Sequence, residues 1–239
     1  MKKILQFSGG KDSAACLHMF RDDPNVVALW VDTGNSFPHV KSYVYKMCND
    51  YGRALHVTSP EIPVIEWQEQ NGLPADVVPW DSTPFMKWMV KDDFGTSLVP
   101  YTTCCSANIW EPMNNATNKI GSKHVIRGSK KCDGHVGVPH GFTDESGIYY
   151  ESPLWDWTDA DVFSYIEKND IPLPDNYSAS ADSDSLDCWC CTAYRGKSGT
   201  FRAEYLKDNY PELHKIAHPK NMAVVNAVKS AVNHYGLGG

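Results

Sequence analysis

Residues 7–17 read Phe-Ser-Gly-Gly-Lys-Asp-Ser-Ala-Ala-Cys-Leu. They follow a short apolar run at residues 3–7 and lead into residues 12–21, which carry Ala15, Leu17, Met19 and Phe20. A strand, a glycine turn and a helix are predicted in that order. Gly9 and Gly10 permit backbone conformations closed to other residues and let a ligand come close to the chain. The helix start that follows offers unpaired N–H groups and the positive end of its dipole. Lys11 adds a point charge suited to a polyphosphate, and Ser8 and Ser13 add hydroxyls. A plain strand-to-helix turn needs one glycine and no lysine, so the combination favours a phosphate cradle. The spacing is neither G-x-x-x-x-G-K-[ST] nor G-x-G-x-x-G, so a Walker-type loop and a dinucleotide turn are both disfavoured.

Outward from the loop, strand-like and helix-like segments alternate. Residues 25–31 (NVVALWV) are a continuous apolar run, typical of a buried parallel strand, and end at Asp32-Thr33-Gly34. Pro38 opens a helical stripe of Val40, Tyr43, Val44, Met47 and Cys48. Residues 54–58 read as a third strand, and residues 83–91 as a helix with Phe85, Trp88 and Met89 inward. Residues 123–127 (KHVIR) read as a fourth strand, again followed by a glycine, Gly128. Residues 129–147 are polar and glycine-rich and read as a mobile loop over a site; residues 148–153 read as a fifth strand. Thr158-Asp-Ala-Asp161 has the form of a capping box, followed by Val162, Phe163, Tyr165 and Ile166. A serine-rich loop at 175–187 precedes helices at about 201–209 and 222–234. The fold class is therefore α/β: a Rossmann-like, open, mostly parallel sheet with helices on both faces, plus a small cysteine-containing C-terminal extension. In such sheets ligands bind at the carboxyl ends of the strands. The expected division is a nucleotide-binding domain at 1–175 and a region at 176–239, packed on it, that holds the serine-rich loop, a cysteine group and helices.

The chain has 239 residues, 42% of them hydrophobic, which suffices for a sizeable core. A formal net charge of −7 argues against a global field that draws nucleic acid or anionic membrane. No apolar run approaches the ~18 residues that span a bilayer, and the N-terminus MKKILQFSGG lacks the form of a signal peptide. A soluble, cytoplasmic protein is expected. Reduced thiols or metal ligands are then expected of its eight cysteines, rather than disulfides. Cys16 and Cys48 lie on helical stripes and read as core. Cys104-Cys105 are adjacent, and Cys188 and Cys191 frame a C-x-x-C with Cys190 inside it. Soft thiolates in such groups suit iron–sulfur or zinc, and buried free thiols are the plain alternative.

Ser8-Gly9-Gly10-Lys11-Asp12-Ser13 resembles the pyrophosphate-binding (PP) loop of the adenine-nucleotide α-hydrolase-like, or ATP pyrophosphatase, superfamily. Val31-Asp32-Thr33-Gly34 with Phe37-Pro38 is similar to the second-strand motif of the phosphoadenosine phosphosulfate (PAPS) reductase family within it. The segment from Pro153 to Val162, PLWDWTDADV, resembles that family's P-L-x-D-W-T-x-x-D-V. Together these motifs cover roughly residues 3–192. The resemblance implies that residues 8–13 hold the phosphates, with Lys11, Asp12 and Ser13 at the reaction. It places Asp32, Thr33 and Gly34 at the base or ribose side, and the Arg127-Gly128 turn in the nucleotide site. A turn or cap role is the plain alternative for Asp32.

The spacing of Cys104, Cys105, Cys188 and Cys191 resembles the iron–sulfur signature of assimilatory adenylylsulfate (APS) reductases, which implies a [4Fe–4S] cluster; zinc stays open. The intact Gly-Gly-Lys implies ATP, with Mg²⁺, rather than APS or PAPS. No cysteine follows Cys191, whereas thiol-dependent sulfonucleotide reductases carry one in a C-terminal C-G-x-H-type motif. The leading expectation is therefore an enzyme that cleaves ATP between the α and β phosphates, adenylates an acceptor and serves sulfur transfer. A sulfonucleotide reductase with an atypical thiol and a non-catalytic nucleotide- and cluster-binding subunit are the alternatives. The acceptor, a sulfur-donor or reductant protein and the oligomeric state are left open. Lys130, Lys131 and Arg195 are further candidate phosphate cations, with solvated charge as the alternative for Arg195 and Lys197. His135, His140 and Cys132 lie in the polar loop.

Overall fold

The computed structural model describes residues 2–89, 96–133, 139–179, 185–193, 197–234 and 236. The first half follows the expected alternation: β1 (Lys3–Gln6), α1 (Lys11–Met19), β2 (Val26–Val31), α2 (Pro38–Asp50) and β3 (Leu55–Thr58). Next come α3 (Val64–Asn71), β4 (Leu73–Ala75), α4 (Pro84–Met89) and β5 (Leu98–Pro100). Helix α5 (Tyr101–Cys105), a π-helical turn (Ser106–Trp110) and α6 (Glu111–Ile120) run on one after another. The chain continues through β6 (His124–Ile126), β7 (Phe142–Thr143), β8 (Tyr149–Glu151), α7 (Asp159–Lys168), α8 (Asn176–Ala179), α9 (Lys197–Asn209) and α10 (Pro211–His234).

Six strands form one sheet in the order β3-β2-β1-β6-β8-β7, and β4 and β5 form a separate pair. Every pairing in the large sheet is parallel except that of the short edge strand β7 with β8. Leu5 is in register with Ala28 on one side and Ile126 on the other. A central parallel strand is covered on both faces, which explains the uninterrupted apolar sequence of the neighbouring β2, VVALWV. Leu5 belongs to a cluster with Phe7, Cys16, Leu17, Val40 and Val44, while its neighbour Ile4 belongs to another with Leu29, Val125, Ile148 and Ala116. Full burial of such side chains contributes about 1.5–3 kcal/mol each. Cys16 and Cys48 both lie in the first cluster, as core residues. That cluster also takes in Leu186, Trp189, Tyr205, Leu206 and Ala217, so the chain after residue 176 shares the core of the sheet.

The amphipathic stripe of α2 is buried at all five expected positions. Thr158 caps α7 through a complete capping box with Asp161. Val162 and Ile166 are buried on α7, but Phe163 is exposed, contrary to the expected stripe, and lies on the side facing α1 and α8. Phe85 is likewise exposed rather than inward. Helix α4 has only 6 residues, too short to sustain a buried stripe, and the Phe85 ring packs on Trp80 instead. The side chains of Trp88 and Met89 lie outside the described residues, as do His135, Arg195 and the side chain of Lys197.

Between β1 and β6 the chain order reverses: β1 leads to β2 and β3 on one side, while β6 and β8 lie on the other. A crevice therefore opens at the carboxyl ends of β1 and β6, where open α/β sheets take their ligands. The 8–13 loop and the Arg127-Gly128 turn meet there.

Candidate nucleotide site and cysteine cavity

The loop is shaped by two close approaches. Gly9 has φ +85°, and a Cβ there would also lie 3.0 Å from Val40 Cγ1. A Cβ on Gly128 would lie 2.8 Å from the carbonyl carbon of Asp12, so only glycine lets the β6 turn meet the start of α1. Within the loop, Gly10 N–H donates to Ser8 Oγ (3.3 Å) and Ser13 Oγ donates to Gly10 O (2.9 Å). The two serines therefore hold the loop's form. Gly10 is the N-cap of α1 and supplies no side-chain cap, which leaves the first-turn N–H groups of the helix for other partners.

Two buried ammoniums meet at this helix start. Lys11 Nζ lies 3.1 Å from Asp12 Oδ2 and 3.1 Å from Asp159 Oδ1. Lys130 Nζ lies 2.7 Å from Asp12 Oδ1, 2.8 Å from Asp133 Oδ1 and 3.3 Å from Asp159 Oδ1. Burial works to lower the Lys11 pKa, but the charge and hydrogen bond of Asp12, with Asp159 beyond it, raise it overall. Burial is likewise outweighed at Lys130 by hydrogen bonds to Asp12 and Asp133, so both ammoniums stay charged. Asp159 is held below the usual carboxylate range: burial opposes this, and Lys11 and then Lys130 outweigh it. Arg127, partly buried at the end of β6, has no side-chain hydrogen bond or ion pair among the described residues. Burial lowers its pKa, yet a guanidinium remains charged. Lys131 is exposed, and His140 Nδ1 accepts the Ser152 N–H.

A cavity at the carboxyl ends of β1 and β2 is bounded by Ser8, Trp30, Val31, Thr33, Ile109 and Met113 among others. Thr33 is buried against it. Asp32 is engaged in its turn: Oδ1 accepts the Gly34 N–H at 3.1 Å and Oδ2 pairs with Lys41 Nζ at 2.7 Å. Gly34, at φ +75°, completes that turn.

The distant cysteines converge. Cys104, Cys105, Cys188 and Cys191 line one cavity, together with Gln68 and Asn108. Burial, with nearby Cys191 next, pushes Cys104 and Cys105 up to about 12, and burial raises Cys188 well above its ordinary value. Without a metal these groups are neutral thiols. Asn108, on the π turn, donates through Nδ2 to Cys104 O (2.9 Å), and Gln68 Nε2 donates to Cys190 O (3.3 Å). The other amide oxygens, Gln68 Oε1 and Asn108 Oδ1, are buried without a partner. In donor chemistry four thiols around one cavity fit a soft metal group; the space between them, about 30 Å³, is tight. Among the described residues no three His, Cys, Asp or Glu side chains are grouped closely enough to hold a single metal ion. Cys188 Sγ donates to Thr33 Oγ1 at 3.4 Å, and Ile109 borders both cavities, so the cysteines adjoin the crevice. Cys132 is exposed, with its thiol on Trp157 O.

Asp133, Asp159, Gln68 and Asn108 were not expected from the sequence. Asp159 carried only a helix-start signal; it faces Lys11 because α7 packs on α1.

A glycine loop at the carboxyl edge of an open parallel sheet, with buried lysines at the helix start, defines a nucleotide-binding α/β domain of the PP-loop type. The chain belongs to the phosphoadenosine phosphosulfate reductase domain family, whose model matches residues 2–194. An uncharacterized protein of Methanocaldococcus jannaschii is 26% identical over 216 residues, which are 87% of this chain and 44% of that protein. The phosphoadenosine 5'-phosphosulfate reductase of Alkalilimnicola ehrlichii is 25% identical over 171 residues, which are 71% of this chain and 62% of the reductase. The chain thus spans less than two thirds of these relatives. The crystal structure of phosphoadenylyl-sulfate reductase from Candida auris, a phosphate complex, superposes with a TM-score of 0.52 and 22% identity over 75% of this chain and 78% of that one. At that identity the likeness is one of fold.

Proposed function

We propose that this domain uses ATP: it grips the β and γ phosphates on residues 8–13 and catalyses attack of an acceptor oxygen on the α phosphorus. The acceptor O–P bond forms as the bond to the β phosphate breaks; pyrophosphate leaves, and the acceptor's proton passes to solvent. A sulfur nucleophile then displaces AMP from the adenylated acceptor. The observation that carries this reading is the pair of buried ammoniums, Lys11 and Lys130, at the start of α1. A sulfonucleotide offers such a site an α phosphate and a singly charged sulfate, whereas ATP offers a triphosphate. The two ammoniums, with Arg127 of the adjoining turn as a further candidate cation, would stabilise charge that develops on the phosphate oxygens and on leaving pyrophosphate. Mg²⁺ is expected with the nucleotide. Thr33 and Gly34, with Asp32, border the nucleoside side.

Cys104, Cys105, Cys188 and Cys191 would hold a [4Fe–4S] cluster, with zinc as the alternative. When bound, the cluster would supply or order sulfur. A sulfur-donor or reductant protein and a cytoplasmic setting go with this reading. No helix among the described residues is long and apolar enough to cross a membrane.

Release of pyrophosphate from ATP by the anaerobically purified chain, with iron and sulfide counts, tests the proposal. Nucleotide binding without turnover would instead indicate a non-catalytic subunit. A second reading, sulfonucleotide reduction, draws on the Cys188 thiol 3.4 Å from Thr33 Oγ1. Sulfite release from APS or PAPS with a thiol donor, and no pyrophosphate from ATP, would establish it in place of the first.

A further inference from the structure

The phosphate cradle is filled by the protein's own groups. The Lys11 N–H, at the first helical position, donates to the Tyr177 hydroxyl at 3.1 Å. A Cβ on Gly10 would lie 3.4 Å from that hydroxyl and 3.0 Å from Ser185 Oγ, so both hydroxyls sit directly over the loop. The Tyr177 ring packs edge-on against Phe163, with centroids 6.3 Å apart, and the Phe163 ring lies 5.8 Å from Lys11 Nζ. This accounts for the outward position of Phe163. Asp159 supplies the charge: its Oδ1 lies within 3.3 Å of both ammoniums. The Asp159 side chain is 64% exposed, whereas those of Lys11 and Lys130 are 9% and 2%. The lysines are therefore the buried side of these ion pairs, and the carboxylate is the solvent-facing partner, open to exchange with a ligand. An oxygen on the helix-start amide and an anionic oxygen shared by two ammoniums are the contacts that a bound phosphate makes.

We propose that Tyr177 and Asp159 together form an internal phosphate substitute that any ligand of the loop must displace, so that the resting cradle is self-inhibited toward phosphate groups. The displacement breaks the same two contacts whether the ligand is a single phosphate or a diphosphate. The inference rests on the loop being a phosphate site and adds that the chain's own groups compete for it.

Calorimetric titration of the full chain with inorganic pyrophosphate and with inorganic phosphate tests it in wild type, Tyr177→Phe, Asp159→Asn and Lys11→Ala. Tyr177→Phe should bind pyrophosphate about 2- to 10-fold more tightly, because the Lys11 amide loses its internal partner. Tyr177→Phe should tighten phosphate by a similar factor, because the same contact is displaced, and Asp159→Asn should tighten both ligands. Tyr177→Phe changes no charge, so its effect cannot arise from general relief of negative charge. Weaker binding by Tyr177→Phe would make its hydroxyl a ligand contact and overturn the proposal, as would unchanged affinities in both variants. If wild type and Lys11→Ala take up pyrophosphate equally, or neither does, the phosphate loop itself is refuted and the inference falls with it. Thermal melts of each variant identify loss of fold, and the exposed Asp159 supplies a readout independent of Tyr177.

Discussion

Replacement of Lys11 with alanine removes one of the two buried ammoniums from the cradle while leaving its carboxylates paired. Asp12 keeps Lys130 at 2.7 Å, and Asp159 keeps it at 3.3 Å. No buried charge is stranded, so the large penalty for breaking a buried pair does not apply. The remaining loss is packing of the lysine stem; a loss of about 1 kcal/mol would lower Tm by roughly 2–4 °C in a chain of this size. The effect on ligand is larger. A hydrogen bond to a charged group contributes about 1.5–3 kcal/mol, which weakens binding about 10- to 150-fold. Titration of ATP and of pyrophosphate into wild type and Lys11→Ala measures this directly. Equal affinity in a folded variant would show that the 8–13 loop does not grip polyphosphate, and the ATP-based function would lose its support.

Further outcomes follow from the same geometry. Gly128→Ala places a methyl 2.8 Å from backbone carbon of Asp12, which cannot move aside as a side-chain tip would; it should cost about 1–3 kcal/mol and weaken pyrophosphate binding, and an unchanged denaturation midpoint and affinity would refute the close approach. Asp159 is held lower in the folded chain than in the unfolded one, so its stabilisation is present above the unfolded pKa of about 3.9 and lost as pH falls through the folded value. Asp159→Asn should therefore show a shallower loss of stability on acidification than wild type, measured by urea midpoints across that range; parallel acid limbs would argue against the Lys11 pairing. Cys104 and Cys105, at about 12, should resist iodoacetamide at pH 8 in metal-free native protein, while the exposed Cys132 reacts. Peptide mapping that finds Cys104 and Cys105 labelled as fast as Cys132 would contradict their burial.

The small β4–β5 pair gave no sequence signal. Its strands have 3 residues each and include Pro74 and Pro100, so neither alternation nor a long apolar run marks them. The π turn after Cys104-Cys105 was equally hidden, because one shifted hydrogen-bond register leaves no trace in composition. That turn places Asn108 and Ile109 at the cysteine cavity.

By itself, the sequence determined the parallel sheet, its flanking helices and the glycine loop at the start of α1. Each of these is written in a local pattern: buried runs such as NVVALWV, the five-residue stripe of α2, and two glycines before a lysine. Only the tertiary structure decided what stands around the loop. Lys130 reaches Asp12 across 118 residues of chain, and Tyr177 reaches the Lys11 amide across 166. Spacing of that kind has no period to read. It is set by which strands become neighbours and by the packing of α7 against α1, and these depend on burial of the whole core.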